Sequence, residues 1–308
     1  MTKKLLPVGF YDLLFDEAER NHNNINLALS TFLNAKYRLI KTPLVEFEDN
    51  FVATEIDNSF RVTDIISGNN LVFSNDITLQ ISRLLNTRLA HEKMPLKLCY
   101  VGDVLYAKNH ELYANRQQTQ VGLEIVGCDQ EKSNFEIIEN LLLALKKLPL
   151  KNLLIEFSLP DLLEIFLNET AVKNKNELRE AIMKKNVSLI RELAGESAEI
   201  VVKIVLSNQN LSELINQISA KIKSEKILSE IKRAQKISEY FSNKNFADVE
   251  FRFDLFGDHK ASYHDEISFD VFCGSFSYPI ARGGRYRINN IDAVGATIYM
   301  NYILLVNS

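Results

Sequence analysis

The sequence predicts an α+β protein, an antiparallel sheet flanked by helices and interrupted by a helical insertion. Three observations carry this. Short strand-like runs separated by turn signals occupy both ends of the chain, 1–157 and 249–308. The middle, 158–248, is rich in Leu, Ile, Lys and Glu and holds a single glycine, Gly195. Hydrophobic residues make up 46% of 308 residues, enough to bury a core.

The elements follow in chain order. Residues 16–38 carry Ile25, Leu27, Leu29, Phe32 and Leu33 at helical spacings. Tyr37–Ile40 reads as a strand ending before Pro43. Phe60–Val62 and Leu71–Phe73 are short strands around the turn signal Ser67-Gly68-Asn69-Asn70. Residues 77–89 are helical behind Asp76, a capping residue type. Leu98–Gly102 and Gln118–Val126 form an antiparallel pair joined by a polar loop over 107–115. A helix over 134–145 and a strand over 153–157 follow.

Residues 161–243 read as helical almost throughout. The spacing of Leu211, Leu214, Ile215 and Ile218 suits a packed helical module better than the strict heptads of a coiled-coil arm. Strands return at 250–255, 266–272 and 276–281. Gly283-Gly284 reads as a turn, and 296–305 as a buried apolar helix.

The net charge is −4, and no Lys/Arg-dense stripe appears, which argues against nucleic acid as a partner. No run approaches the ~20 apolar residues of a membrane span, and Leu5–Gly9 is too short an apolar run for a signal peptide. A soluble, cytoplasmic protein is expected. Cys99, Cys128 and Cys273 show no paired spacing and sit among apolar neighbours, so free thiols are expected. His259, His264, Asp265 and Glu266 match no standard zinc pattern, and no metal or cofactor is expected.

Side chains alternate along a strand, so Gln118, Gln120, Gly122 and Glu124 share one face while Val121, Leu123 and Ile125 share the other. The glycine leaves a concavity between long polar side chains. That face suits either a small polar ligand, such as an imidazole, or plain solvent. Asp76 and Thr78 suit either an ammonium group or a helix N-cap. Tyr263-His264-Asp265-Glu266 is a polar cluster before a strand, and Gly283-Gly284-Arg285-Tyr286 places two glycines before a cation and an aromatic ring. No Walker, Gly-x-Ser-x-Gly or His-Glu-x-x-His sequence declares a nucleophile or metal.

Taken in order, these segments resemble one family. Pro7-Val8-Gly9-Phe10-Tyr11-Asp12-Leu13-Leu14 is similar to the opening of histidyl-tRNA synthetases and their non-catalytic relatives. Tyr37, Pro43 and Glu46 resemble class II motif 1. Asn75-Asp76-Ile77-Thr78 resembles the family's Arg-Pro-Glu/Asp-x-Thr segment, with Ser74 and Asn75 in place of its Arg and Pro. Tyr100 through Gly127 resembles motif 2, and Ala281–Tyr286 with Ala293-Val294-Gly295 resembles the closing glycine-arginine and motif 3 regions. The resemblance covers 1–157 and 249–308. It implies a class II aminoacyl-tRNA synthetase-like antiparallel sheet flanked by helices, with 158–248 inserted.

Residue by residue, the resemblance implies that Asp76 and Thr78 hold the ammonium group of histidine and that Gln120 and Glu124 hold the rest of the substrate. Tyr263 and His264 stand where the family has a tyrosine pair. The family's carboxylate-binding arginine aligns with His259. Its ATP arginines of motifs 2 and 3 align with Tyr106 and Tyr302, and the motif 3 glutamate with Asn301. A neutral phenol cannot offset developing phosphate charge, and the anticodon-binding domain of the family is expected to be missing. This combination resembles the regulatory subunits of short-form ATP phosphoribosyltransferase. It implies a non-catalytic subunit that partners the short catalytic chain in the first step of histidine biosynthesis, takes histidine as effector, and dimerises through motif 1 within a hetero-oligomer. Two departures bear on sensing: Tyr263-His264-Asp265-Glu266 replaces a usual Tyr-Tyr-Thr-Gly, and Arg287 replaces a usual Asp. Two other readings stay open. One is a divergent amino-acid-activating enzyme that uses Arg116, Arg282 or Arg285 on ATP. The other is an orphan paralogue acting as a protein-binding module.

Overall fold

The computed structural model describes residues 6–108, 115–128, 131–169, 172, 174–207, 211–219, 224–244, 246, 248–257, 264–274, 276–288 and 290–306. Two compact units form, one from 1–150 with 288–308 and one from 151–287.

The first unit begins with α1 (Phe15–Asn34), β1 (Arg38–Ile40) and β2 (Val45–Phe47). The chain continues through β3 (Arg61–Thr63), β4 (Asn70–Phe73), α2 (Ile77–Asn86), β5 (Leu96–Leu105), β6 (Gln117–Val126) and α3 (Glu131–Leu145). The second unit holds β7 (Leu153–Ser158), then α4 (Pro160–Glu169), α5 (Lys175–Met183), α6 (Val187–Leu193), α7 (Ala198–Val205), α8 (Leu211–Ser219) and α9 (Glu225–Ser242). Its strands β8 (Val249–Phe253), β9 (His264–Cys273) and β10 (Ala281–Ile288) follow. The chain then returns to the first unit as β11 (Ile291–Tyr299) and α10 (Met300–Val306).

In the first unit, β5 and β6 pair antiparallel over their full lengths, β11 pairs antiparallel with β6, and β1 pairs parallel with β5. The register sets Glu124 opposite Leu98 and Gly295, Gly122 opposite Tyr100 and Thr297, and Gln120 opposite Gly102 and Tyr299. Cys99, Val121, Leu123, Ile125, Ala296 and Ile298 lie on the opposite sheet face and are buried, as are Ala28 and Phe32 of α1 and Ile137, Ile138 and Leu141 of α3. The strand register is thus pinned, because a one-residue slip would exchange this apolar set for the polar one. Strands β2, β4 and β3 form a separate antiparallel sheet.

In the second unit, β9 pairs antiparallel with β10 and β7, and β8 pairs parallel with β7. The rings of Phe241 on α9, Phe251, Phe253 and Phe269 gather around Phe157 at centroid distances of 5.2–6.3 Å. Helices α4 to α9 share one apolar cluster that includes Leu162, Leu178, Ile190, Val201, Leu214 and Ile231. They form a packed module rather than a coiled-coil arm. Asn174, Asn186 and Ser224 cap α5, α6 and α9 by accepting the backbone N–H three residues on.

Three expectations are corrected. No strand covers 276–281 among the described residues; β10 begins at Ala281. Gly283-Gly284 lies inside β10 rather than in a turn, where the pairing with β9 shifts register between Gly284 and Arg285. The apolar run 296–305 is not one helix. Its first residues continue β11, with the helix starting at Met300. In each case an isolated glycine pair or apolar run is ambiguous between elements, and strand pairing decides it.

No helix of the described residues is long and apolar enough to cross a membrane. Cys99, Cys128 and Cys273 are free thiols, with burial pushing Cys99 up to about 11.

Candidate functional site

The polar face of β6 is not a solvent-facing surface. Gln118, Gln120 and Glu124 are each 2% exposed or less. A strand buried on both faces with three long polar side chains on one of them is costly unless those groups are satisfied. The N-terminus of α2 satisfies most of them. Gln120 Oε1 accepts from Ile77 N at 3.2 Å, and Glu124 Oε1 accepts from Thr78 Oγ1 at 3.1 Å. Asp76 Oδ1 accepts from Thr78 N at 2.8 Å, so Asp76 is the N-cap of α2. Of the two roles open to it, the cap is realised, and the same geometry brings Asp76, Thr78, Gln120 and Glu124 to one place.

Two glycines let the backbone approach that place. A Cβ on Gly122 would stand 2.2 Å from Tyr100 Cζ and 2.3 Å from its hydroxyl, so the concavity left by Gly122 is occupied by the Tyr100 ring. A Cβ on Gly295 would stand 1.6 Å from Glu124 Oε2, so the Glu124 carboxylate lies on the β11 backbone. Tyr100 shares a 2.7 Å hydrogen bond with Thr297 and also bonds Thr78. Burial, then the Glu124 and Asp76 charges, hold its phenol well above the ordinary tyrosine range, and it stays neutral. Tyr100, Thr297 and Gly295 are site residues that sequence reasoning missed. The signal available was cross-strand pairing, which a single sequence does not display.

At the other end of the face Tyr106 and Tyr302, the positions that the resemblance sets against ATP arginines, sit near each other. Tyr106 is raised well above its ordinary value, first by burial and then by Tyr299, Asp76 and Tyr302, and its hydroxyl bonds Gln120. The Tyr299 and Tyr302 rings lie 5.8 Å apart. Asn301 Oδ1 accepts from Thr119 N at 2.8 Å and its Nδ2 donates to Gln117 O at 3.2 Å, fastening α10 to the start of β6. Tyr106, Tyr299, Asn301 and Tyr302 give this end four neutral side chains.

Of the three arginines of the activating-enzyme reading, Arg116 belongs to the first unit and Arg282 and Arg285 to the second. The Arg116 guanidinium lies 4.5 Å from the Phe60 ring centroid and 5.4 Å from that of Phe10, and its Nε donates to Tyr106 O at 3.1 Å. Arg282 faces Asp270 at 3.3 Å, and Arg285 is buried in β10 of the second unit. Tyr263 and His259 lie outside the described residues. His264 is described only in its backbone, as the first residue of β9 in the second unit. No cluster of three metal-ligating side chains occurs among the described residues.

The helix that carries the site is itself held firmly. Arg83 of α2 donates Nε and Nη2 to the two Glu46 carboxylate oxygens at 2.6 and 2.9 Å. Gln80 donates to Pro43 O at 2.6 Å and to Glu46 Oε1 at 2.9 Å, and accepts from Thr42 Oγ1 at 2.6 Å. Glu46, the motif 1 residue singled out in the sequence, is buried by this bidentate pair.

The chain is similar to known proteins along most of its length. The family model described as histidyl-tRNA synthetase matches residues 9–303. An ATP phosphoribosyltransferase regulatory subunit from Paramagnetospirillum magneticum is 26% identical over 98% of this chain and 82% of its own length. One from Caldanaerobacter subterraneus subsp. tengcongensis is 30% identical over 91% of this chain and 75% of its own. A Bacillus halodurans crystal structure described as an ATP phosphoribosyltransferase regulatory subunit/histidyl-tRNA synthetase shares the fold, with a TM-score of 0.83, 21% identity, and 99% and 84% of the two chains covered. The chain therefore belongs to the histidyl-tRNA synthetase-like family of ATP phosphoribosyltransferase regulatory subunits.

Proposed function

We propose that this chain is the non-catalytic subunit that assembles with the short catalytic chain of ATP phosphoribosyltransferase, activates it, and makes it respond to histidine. The observation that carries the reading is the joining of Thr78, Gln120 and Glu124, with Asp76 as the cap, on a buried polar strand face whose far end is walled by Tyr106, Tyr299 and Tyr302. One buried and one half-buried acidic side chain, Glu124 and Asp76, suit the imidazole N–H and ammonium donors of histidine. Neutral phenols at the positions of the ATP arginines supply no charge for a triphosphate, so adenylation is not expected. Histidine would act by linkage, binding one quaternary state better and shifting the assembly towards it.

The same reading has two structural parts. The segment 158–248 is an insertion in a class II core. A second copy packs on the motif 1 region, where Leu39, Leu44, Phe47, Val62, Ile65 and Ile66 are exposed apolar side chains of the first unit. The test is reconstitution of phosphoribosyl-ATP formation from this protein and the catalytic chain of the same source, with and without histidine. Activation that histidine reverses is expected. Histidine-dependent ATP–pyrophosphate exchange by the chain alone would contradict the reading.

A further inference from the structure

The buried polar face of β6 has one member whose donor finds no partner among the described residues. Gln118 is 2% exposed, its Oε1 accepts from Asn115 Nδ2 at 3.0 Å, and its Nε2 has no hydrogen-bond partner. Buried amide donors are nearly always paired, because an orphan forfeits its hydration with no return. Gln118 shares its face with Gln120, Gly122 and Glu124, two residues along the strand from Gln120. It lies towards the end where Tyr106 bonds Gln120.

The chemistry of the face matches a zwitterion in that order. Glu124 is an acceptor for a side-chain N–H, and Asp76 is an acceptor for an ammonium group. A carboxylate then needs a donor, and Gln118 Nε2 is a buried donor on the same strand face that is unused among the described residues. We infer that Gln118 is the carboxylate-reading residue of this site, taking the α-carboxylate of a free amino acid through its side-chain N–H. The inference rests on the histidine-sensing reading and adds to it a group that selects the free amino acid over its decarboxylated amine. A neutral amide suits that task on a face that already buries the Glu124 carboxylate, since it donates without adding a charge.

The experiment is calorimetric titration of the whole chain with L-histidine and with histamine, which lacks the carboxylate, for the wild type, Gln118→Leu and Gln118→Glu. A hydrogen bond to a charged group predicts a loss of about ten- to a hundredfold in histidine affinity for Gln118→Leu. Histamine affinity is expected to stay within about twofold of wild type, and Gln118→Glu to weaken histidine further by repulsion. Thermal melts without ligand serve as the folding control. Gln118→Leu removes an orphan donor but also the acceptor for Asn115 Nδ2, so its melting temperature is expected within about 4 °C of wild type. Histidine binding by wild type that Gln118→Leu leaves unchanged, or an equal loss for histidine and histamine, overturns the role of Gln118 and leaves the sensing reading standing. No histidine binding by wild type overturns both.

Discussion

The two faces of β6 are both buried, yet they are built from opposite materials. Val121, Leu123 and Ile125 lie on an apolar face, and their burial stabilises the fold without needing any particular partner atom. Gln118, Gln120 and Glu124 are buried just as deeply, the last two beneath the N-terminus of α2, and there each polar atom has to be matched one by one. A fold alone has no need of the second arrangement, since an apolar face would be cheaper to bury. The difference teaches where stability ends and recognition begins within a single strand, and it can be broken from either side.

The largest stability effect is expected on the apolar face. Leu123→Ala empties a fully buried position and should cost about 2–5 kcal/mol, read from denaturant unfolding. Histidine response of the surviving folded fraction should be retained. Gly295→Ala comes next, because its Cβ would stand 1.6 Å from Glu124 Oε2 and must displace the carboxylate. Overpacking of this kind costs about 1–3 kcal/mol, and here histidine binding should be lost along with it. Glu124→Gln sharpens the comparison further. It keeps the shape, so stability should change by about 1 kcal/mol or less, while histidine affinity falls at least about tenfold.

The smallest effect concerns Tyr100 and Tyr106. Both phenols are raised above the unfolded value, by burial first. A raised folded pKa means that the unfolded chain loses its proton first. The contribution is therefore complete below about pH 10 and is lost as pH rises above it. Stability should be flat from about pH 7 to 9 and fall beyond about pH 10. Tyr100→Phe should blunt that fall and cost about 0.5–1.5 kcal/mol for the hydrogen bond to Thr297. An unchanged alkaline limb would place the titration elsewhere.

Much of this site was legible in the sequence because its logic is local. Period-2 alternation put Gln120 and Glu124 on one face, and Asp76 ahead of an apolar-periodic run announced the start of a helix. The pairing of those two segments came only from the family resemblance, since 43 residues separate Ile77 from Gln120. Tyr100, Thr297 and Gly295 were not legible at all. Each has its meaning through a cross-strand neighbour, and a tyrosine lying on a glycine leaves no periodic trace. The end of β11 was misread for a related reason. The run 296–305 is mostly apolar with no period-2 alternation, which looks the same for a buried strand and a buried helix. The helical middle was legible as helix from composition and as a packed module from spacing. Its breaks fell where Asn174, Asn186 and Ser224 offer caps.

The most direct test of the central claim, that the polar face of β6 is a histidine sensor, is phosphoribosyl-ATP formation by the catalytic chain mixed with wild-type or Glu124→Gln protein, with and without histidine. The account predicts that both proteins activate and that histidine reverses activation only with the wild type. Equal reversal by histidine in the two mixtures would contradict it.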